Sequence, residues 1–155
     1  MIKFINGNLF EVPADILVNA VNCVGVMGGG IALEFKNRYP EMYEDYKIAC
    51  SENRIRPGKI HIWTGHYPQT IVNFPTKGHY RHPSFEHFIT DGLKELRYYL
   101  ISVETRIGDS QLNRINIPAL GCGLGGLKWS FVAGQIVDIL GVLESEISVF
   151  NPQEH

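Results

Sequence analysis

Lys77 stands in the run Asn73-Phe74-Pro75-Thr76-Lys77-Gly78-His79-Tyr80-Arg81-His82. A lysine is followed there by imidazoles, a phenol and a guanidinium. An amine desolvated among loops, or set beside a cation such as Arg81, loses basicity and becomes a nucleophile. On chemistry alone the plainer alternative is the stronger one, a surface lysine that neutralises phosphate. His79, Tyr80 and Arg81 combine rings that stack on bases with cations that meet phosphate, the chemistry of single-strand binding. The alternative is a solvated loop whose tyrosine packs on the sheet. His79 and His82 have the spacing of a metal pair but no evident third ligand.

Two glycine-rich loops carry the other chemistry. One lies in ILVNAVNCVGVMGGGIALEF, from Ile16 to Phe35, and the other in INIPALGCGLGGLKWSF, from Ile115 to Phe131. Each follows an apolar run and opens a helix. Glycine lets backbone approach a ligand closely, and a helix N-terminus offers unpaired N–H groups to an anion. Two such loops point to a diphosphate gripped from both sides. Gly28-Gly29-Gly30 is neither a GxGxxG fingerprint nor a phosphate loop with Lys-Ser/Thr. Asn19 and Asn22 stand where the strand enters the first loop. Their amides can donate to and accept from a sugar hydroxyl, or else cap the turn.

These loops need strands and helices to hold them. Ile2–Asn6, Ile16–Ala20, Lys59–Thr64, Thr70–Phe74, Asn113–Ile117 and Glu146–Phe150 read as strands. Helices are expected over Gly30–Tyr39, Glu41–Glu52, from an N-cap at Ser84 to about Val103, and over Trp129–Leu143. Phe85, Phe88, Ile89, Leu93, Leu96 and Leu100 form one apolar stripe of the third. Arg106–Gln111 reads as a polar connection, the loop carrying Gly65 and Pro68 joins two strands, and Gln153–His155 reads as a frayed end. The alternation predicts an α/β fold: a three-layer α/β/α sandwich with a mixed, mostly parallel central sheet of about six strands, in one domain spanning 1–155. In such sheets ligands bind beyond the carboxyl ends of the strands. Both glycine loops and the segment around Lys77 lie at such ends.

The 155 residues carry a net charge of -2, which argues against a general polyanion binder while allowing a local basic patch. Three widely spaced cysteines, Cys23, Cys50 and Cys122, form neither a disulfide framework nor a metal motif. They suggest a reduced, cytoplasmic chain. Cys23 and Cys122 read as small residues filling tight bends. No apolar run is long enough for a membrane span, and no signal-peptide pattern opens the chain.

The combination of an N-terminal strand with a Gly-Asn-Leu turn, VNAVN, a GGG loop, IPALGCGLGG and a short terminal strand resembles the macro domain family over essentially the whole chain. NFPTK followed by His, an aromatic and Arg, with GIALEFK and LGCGLGGLKW, is most similar to the branch of the DarG antitoxins and the animal terminal ADP-ribose protein glycohydrolase. The resemblance implies an ADP-ribosyl glycohydrolase that acts on ADP-ribosylated DNA, needs no cofactor or metal, is monomeric, and has a toxin ADP-ribosyltransferase as partner. Lys77 would act at the anomeric carbon of the distal ribose. Asn22, Gly28, Gly29, Gly30 and Ile31 would hold that ribose and part of the diphosphate, with Asn19 and Thr76 beside them. Gly121, Cys122, Gly123, Leu124, Gly125 and Gly126 would serve the phosphates. Asn8 and Leu9 would hold adenine, with Phe150 either against it or in the core. His79, Tyr80 and Arg81 would meet nucleic acid.

Two departures keep alternatives open. Where such antitoxins commonly have lysine, the first loop has Gly29, as some macro domains that remove phosphate from ADP-ribose 1''-phosphate have glycine. The second loop has Lys128 and no carboxylate where the animal enzyme carries its acid/base. A phosphatase, a hydrolase of ADP-ribosyl carboxylate esters and a non-catalytic ADP-ribose reader are the alternatives.

Overall fold

The computed structural model describes residues 1–65, 69–107 and 113–153. In chain order these form β1 (Ile2–Ile5), a short 3-10 turn (Leu9–Glu11), β2 (Ile16–Val21), α1 (Gly30–Arg38), α2 (Pro40–Ser51), β3 (His61–Thr64) and β4 (Thr70–Pro75). There follow α3 (Glu86–Ile107), β5 (Arg114–Ile117), α4 (Trp129–Leu140) and β6 (Glu146–Phe150). The strands make one sheet in the order β1-β6-β5-β2-β4-β3. Every neighbouring pair is parallel except β3 with β4.

Side chains alternate across the sheet with period two. Ile16, Val18, Val72, Phe74, Ile115 and Ile117 face one core, which α3 and α4 cover with Leu93, Leu96, Val132 and Ile136. Leu17, Val21 and Ile71 face the other, which α1 and α2 cover with Phe35, Met42 and Tyr46. This is the expected three-layer sandwich. Because β2 is buried on both faces it reads as an unbroken apolar run, as a central parallel strand does.

Several boundaries differ from the sequence reading, each for a local reason. α3 runs to Ile107, so Arg106 belongs to the helix; residues 108–112 of the expected connection lie outside the described residues, as do Pro68 and residues 154 and 155. α4 stops at Leu140, where the Gly141 N–H donates to Val137 O at 2.9 Å and the chain turns. β3 starts at His61, because Lys59 closes a turn on Arg56 around Pro57-Gly58. Ser84 does not cap α3 through its hydroxyl, which has no hydrogen-bond partner among the described residues. Phe85 precedes the helix and is half exposed rather than part of its buried stripe.

Candidate functional site

β2 and β4 run in register to a shared end, Val21 opposite Pro75. The first glycine loop and the lysine segment therefore leave the sheet side by side. They are then tied together. The Cys23 N–H donates to Gly78 O at 3.0 Å, its thiol points to Lys77 O at 3.4 Å, and the Thr76 N–H donates to Val21 O at 2.9 Å. At its far end the same segment meets the second loop, with the Ser84 N–H donating to Gly125 O at 3.1 Å. Residues 76–84 thus bridge the two glycine loops. Lys77 is half-buried in that bridge, and its ammonium makes no ion pair among the described residues.

Asn22 organises the first loop rather than offering its amide outward. Its Nδ2 donates to Val26 O at 2.7 Å, and its Oδ1 accepts from the Val24 and Val26 N–H groups at 3.1 and 3.4 Å. The Tyr46 hydroxyl lies 2.8 Å from Asn22 O and 2.9 Å from Oδ1. Held this way, the loop presents Gly28, Gly29 and Gly30 to solvent at the start of α1, which has no side-chain cap. Gly30 has φ +57°, a conformation that favours glycine. The uncapped first turn, with Ile31 half-buried behind it, leaves N–H groups of the kind that suit an anion.

The second loop folds on itself. Leu127 N–H donates to Gly121 O, Gly126 N–H to Gly123 O, and Cys122 N–H to Ala119 O. The N–H groups of Gly123, Leu124 and Gly125, between them, form no backbone hydrogen bond among the described residues. Gly123 and Leu124 are exposed and Gly125 is buried. Gly121 has φ +73° and Gly126 φ +81°. α4 follows directly and also lacks a side-chain cap.

At the other end of the same edge, Asn8 caps the 3-10 turn by accepting from the Phe10 N–H at 2.9 Å. Leu9 packs its side chain into the core and can offer only its N–H. Phe150 is 4 % exposed in the core beside Leu9. It is placed as a core residue with no free ring face. Beyond it a cavity of about 810 Å³ is lined by Asn6, Gly7, Trp129, Asn151, Pro152 and Gln153. From β1 to β4 there are four strand spacings, roughly 19 Å. A nucleotide, a diphosphate and a second sugar could lie along that edge, with the sugar reaching Lys77.

Asn19 and Thr76 stand under this edge rather than on it. Asn19 is fully buried, and its Nδ2 donates to Asn73 Oδ1 at 3.1 Å. Thr76 is buried where β4 ends. Asn73 Nδ2 donates to His61 Nδ1 at 3.0 Å, and His61 Nε2 meets Asp45 Oδ2 at 2.9 Å. A polar chain therefore crosses three strands inside an apolar core. It went unnoticed in the sequence, as did Asn116, whose Nδ2 donates to Leu9 O at 3.0 Å and Val12 O at 2.8 Å and so pins the 3-10 turn to β5. The signal available was an amide set among branched residues in mid-strand.

Burial lowers the His61 pKa below its ordinary value of 6.5, and the bond to Asp45 opposes this only in part. Its Nδ1 accepts from Asn73, so a second ring proton would face a donor. The unfolded chain therefore binds more protons than the folded one. Stability is fully present above the ordinary value and is lost as pH falls through it toward the folded value. The melting temperature is expected to fall between about pH 7 and pH 5. His61→Gln should flatten that slope, which thermal melts across the range would read; an unchanged slope would assign the acid sensitivity elsewhere.

The thiols are placed for packing. Burial, with Cys50 nearby, pushes Cys23 up to about 12, and burial pushes Cys122 up to about 11. Neither is a thiolate nucleophile near neutral pH. Around Lys77 the charged and aromatic groups cluster. His79 stacks on Tyr80 with centroids 4.2 Å apart, Arg81 lies over the Tyr80 ring, and His79 Nδ1 accepts from the Arg81 N–H at 3.1 Å. A neutral His79 thus carries its proton on Nε2.

Comparison with known proteins agrees with this fold. The family model described as "Macro domain" matches residues 18–136. The chain is 41% identical over 159 residues to a DNA ADP-ribosyl glycohydrolase of Thermus aquaticus, covering 100% of this chain and 42% of that protein. It spans about two fifths of the length of the curated relatives it matches. The solved macrodomain of Thermus aquaticus DarG superimposes with a TM-score of 0.88 at 41% identity, covering 98% of this chain and 99% of that one. Thermosipho africanus DarTG in complex with ADP-ribose superimposes with a TM-score of 0.86 at 29% identity, over 99% of this chain and 42% of that one. A strand edge with two glycine loops, a lysine bridge between them and a whole-chain match to such proteins lead to one assignment: this chain belongs to the macro domain family.

Proposed function

We propose that the chain is an ADP-ribosyl glycohydrolase that releases ADP-ribose from a modified base in DNA. The observation that carries this reading is the placing of Lys77 on the bridge between the two loops, half-buried and without an ion-pair partner among the described residues. The free N–H groups of Gly123, Leu124 and Gly125 and the uncapped start of α1 suit the diphosphate. The distal ribose then meets Lys77. Its amine attacks C1 as the bond from C1 to the base nitrogen breaks, and that nitrogen takes the electron pair and the proton that the lysine nitrogen gives up on bonding to C1. Water then displaces the lysine and frees ADP-ribose. A Schiff base with the opened sugar is the equivalent route through the same amine.

The name of the Thermus relative and its 41% identity over the whole chain support the DNA substrate. A toxin transferase as the partner that supplies this substrate is supported by a Thermosipho relative, a DNA ADP-ribosyl transferase–glycohydrolase fusion protein. No helix among the described residues is long and apolar enough to cross a membrane. Three free cysteines suit a reducing cytoplasm.

One observation favours a second reading. The second loop holds Lys128 and no carboxylate, so an ADP-ribose reader that does not cleave is the rival. A panel of ADP-ribosylated single-stranded DNA, an ADP-ribosyl-glutamate peptide and ADP-ribose 1''-phosphate separates the readings. Release of ADP-ribose from DNA alone is expected. Binding without turnover of any substrate would favour the reader, and turnover of the peptide or the phosphate would move the leaving group.

A further inference from the structure

Phe85 is an aromatic residue that the apolar pattern of α3 places in the core, yet it lies on the surface. It is 50% exposed, just before α3 begins. The Ser84–Gly125 hydrogen bond fixes it beside the second glycine loop. Leu124, at the tip of that loop, is 96% exposed. Phe85 is not alone. Its ring is 6.0 Å from that of His87 and 5.2 Å from that of Phe88, and the His87 ring is exposed. The His79–Tyr80–Arg81 stack stands a few residues upstream, on the stretch that holds Lys77. His79 also lies 5.1 Å from His82. Residues 77–88 thus carry a ridge of two ring clusters along the chain, 79–82 next to Lys77 and 85–88 at the start of α3.

The charge of the ridge differs from that of the chain. It carries Lys77, Arg81 and three imidazoles against one carboxylate, Glu86, while the whole chain is at -2. Exposed rings interleaved with cations suit a strand whose bases have open faces and whose backbone is anionic. They do not suit an acidic peptide, which offers charge and no rings to stack.

We propose that Phe85 and His87 form a second stacking station for single-stranded DNA, which takes a nucleotide flanking the modified base once that base's ADP-ribose lies in the glycine loops. The proposal deepens the DNA reading of the preceding subsection and rests on it. It makes Phe85 and His87 determinants of substrate length rather than catalytic residues.

The test compares two substrates, an ADP-ribosylated single strand and the ADP-ribosylated nucleoside alone. With Phe85→Ala, and separately with His87→Ala, KM for the strand should rise by at least about fivefold. The KM for the nucleoside, kcat and ADP-ribose affinity should not move. Phe85→Trp should restore the strand KM. Equal effects of Phe85→Ala on both substrates, or on an ADP-ribosyl-glutamate peptide, would overturn the proposal. Anisotropy of an unmodified labelled single strand needs no turnover, so it separates the two claims. Loss of strand binding in Phe85→Ala with no DNA cleavage by the wild type keeps the station and removes the glycohydrolase. Unchanged strand binding with intact cleavage removes the station alone.

Discussion

Lys77→Ala is expected to lower release of ADP-ribose from modified DNA by at least about a thousandfold, with ADP-ribose affinity within about twofold of the wild type. The split follows from where the two tasks sit. In the proposed site the diphosphate is held by backbone N–H groups of the glycine loops, which lie outside the side chain of residue 77. Residue 77 is anchored through its own carbonyl by Cys23, so the bridge keeps its path when the side chain is shortened. Lys77→Arg keeps the charge but removes the usable nucleophile, because guanidinium does not give up its proton. It should be as inactive as the alanine variant. An active arginine variant would reduce Lys77 to a phosphate counter-charge.

Gly125→Ala should have the opposite signature, a loss of ADP-ribose binding of tenfold or more, about 1.4 kcal/mol at the least. A Cβ at Gly125 would lie 2.4 Å from Ser84 Oγ and 2.5 Å from Gly121 O. The serine could rotate, but the Gly121 carbonyl is backbone and accepts the Leu127 N–H that closes the loop. The loop must therefore open, and the N–H groups of residues 123–125 are displaced. Gly134→Ala on α4 meets nothing within 4 Å. It should leave binding alone and raise stability by up to about 1 kcal/mol, as alanine does in a helix. Calorimetric titration and thermal melts of the two variants check both statements.

The large features were legible in the sequence because they rest on backbone physics. An unbroken apolar run from Ile16 means a strand covered on both faces, and glycines after it mean a loop that needs room. The loops and Lys77 do meet at one edge. What the residues alone left open was which way each polar side chain turns. Asn22 carries the same amide whether it faces a sugar or its own loop, and Tyr46, distant in sequence, decides for the loop. Asn19 is paired with Asn73 across a strand pairing that no local pattern reveals. Phe85 fits the helical period of α3, but the backbone of Ser84 is held by Gly125 and the helix starts too late to bury it. Phe150 closes the core because β6 ends against the 3-10 turn, and Asn116 holds that turn in place.

The two loops and the lysine bridge are proposed to act as one ADP-ribose site. Amide chemical shifts of the isotope-labelled protein, followed as ADP-ribose is added, read that most directly. Residues 28–31, 123–125 and 76–78 are expected to shift together along one saturating curve. Shifts confined to the cavity around Trp129 and Asn151, or none at all, would contradict it.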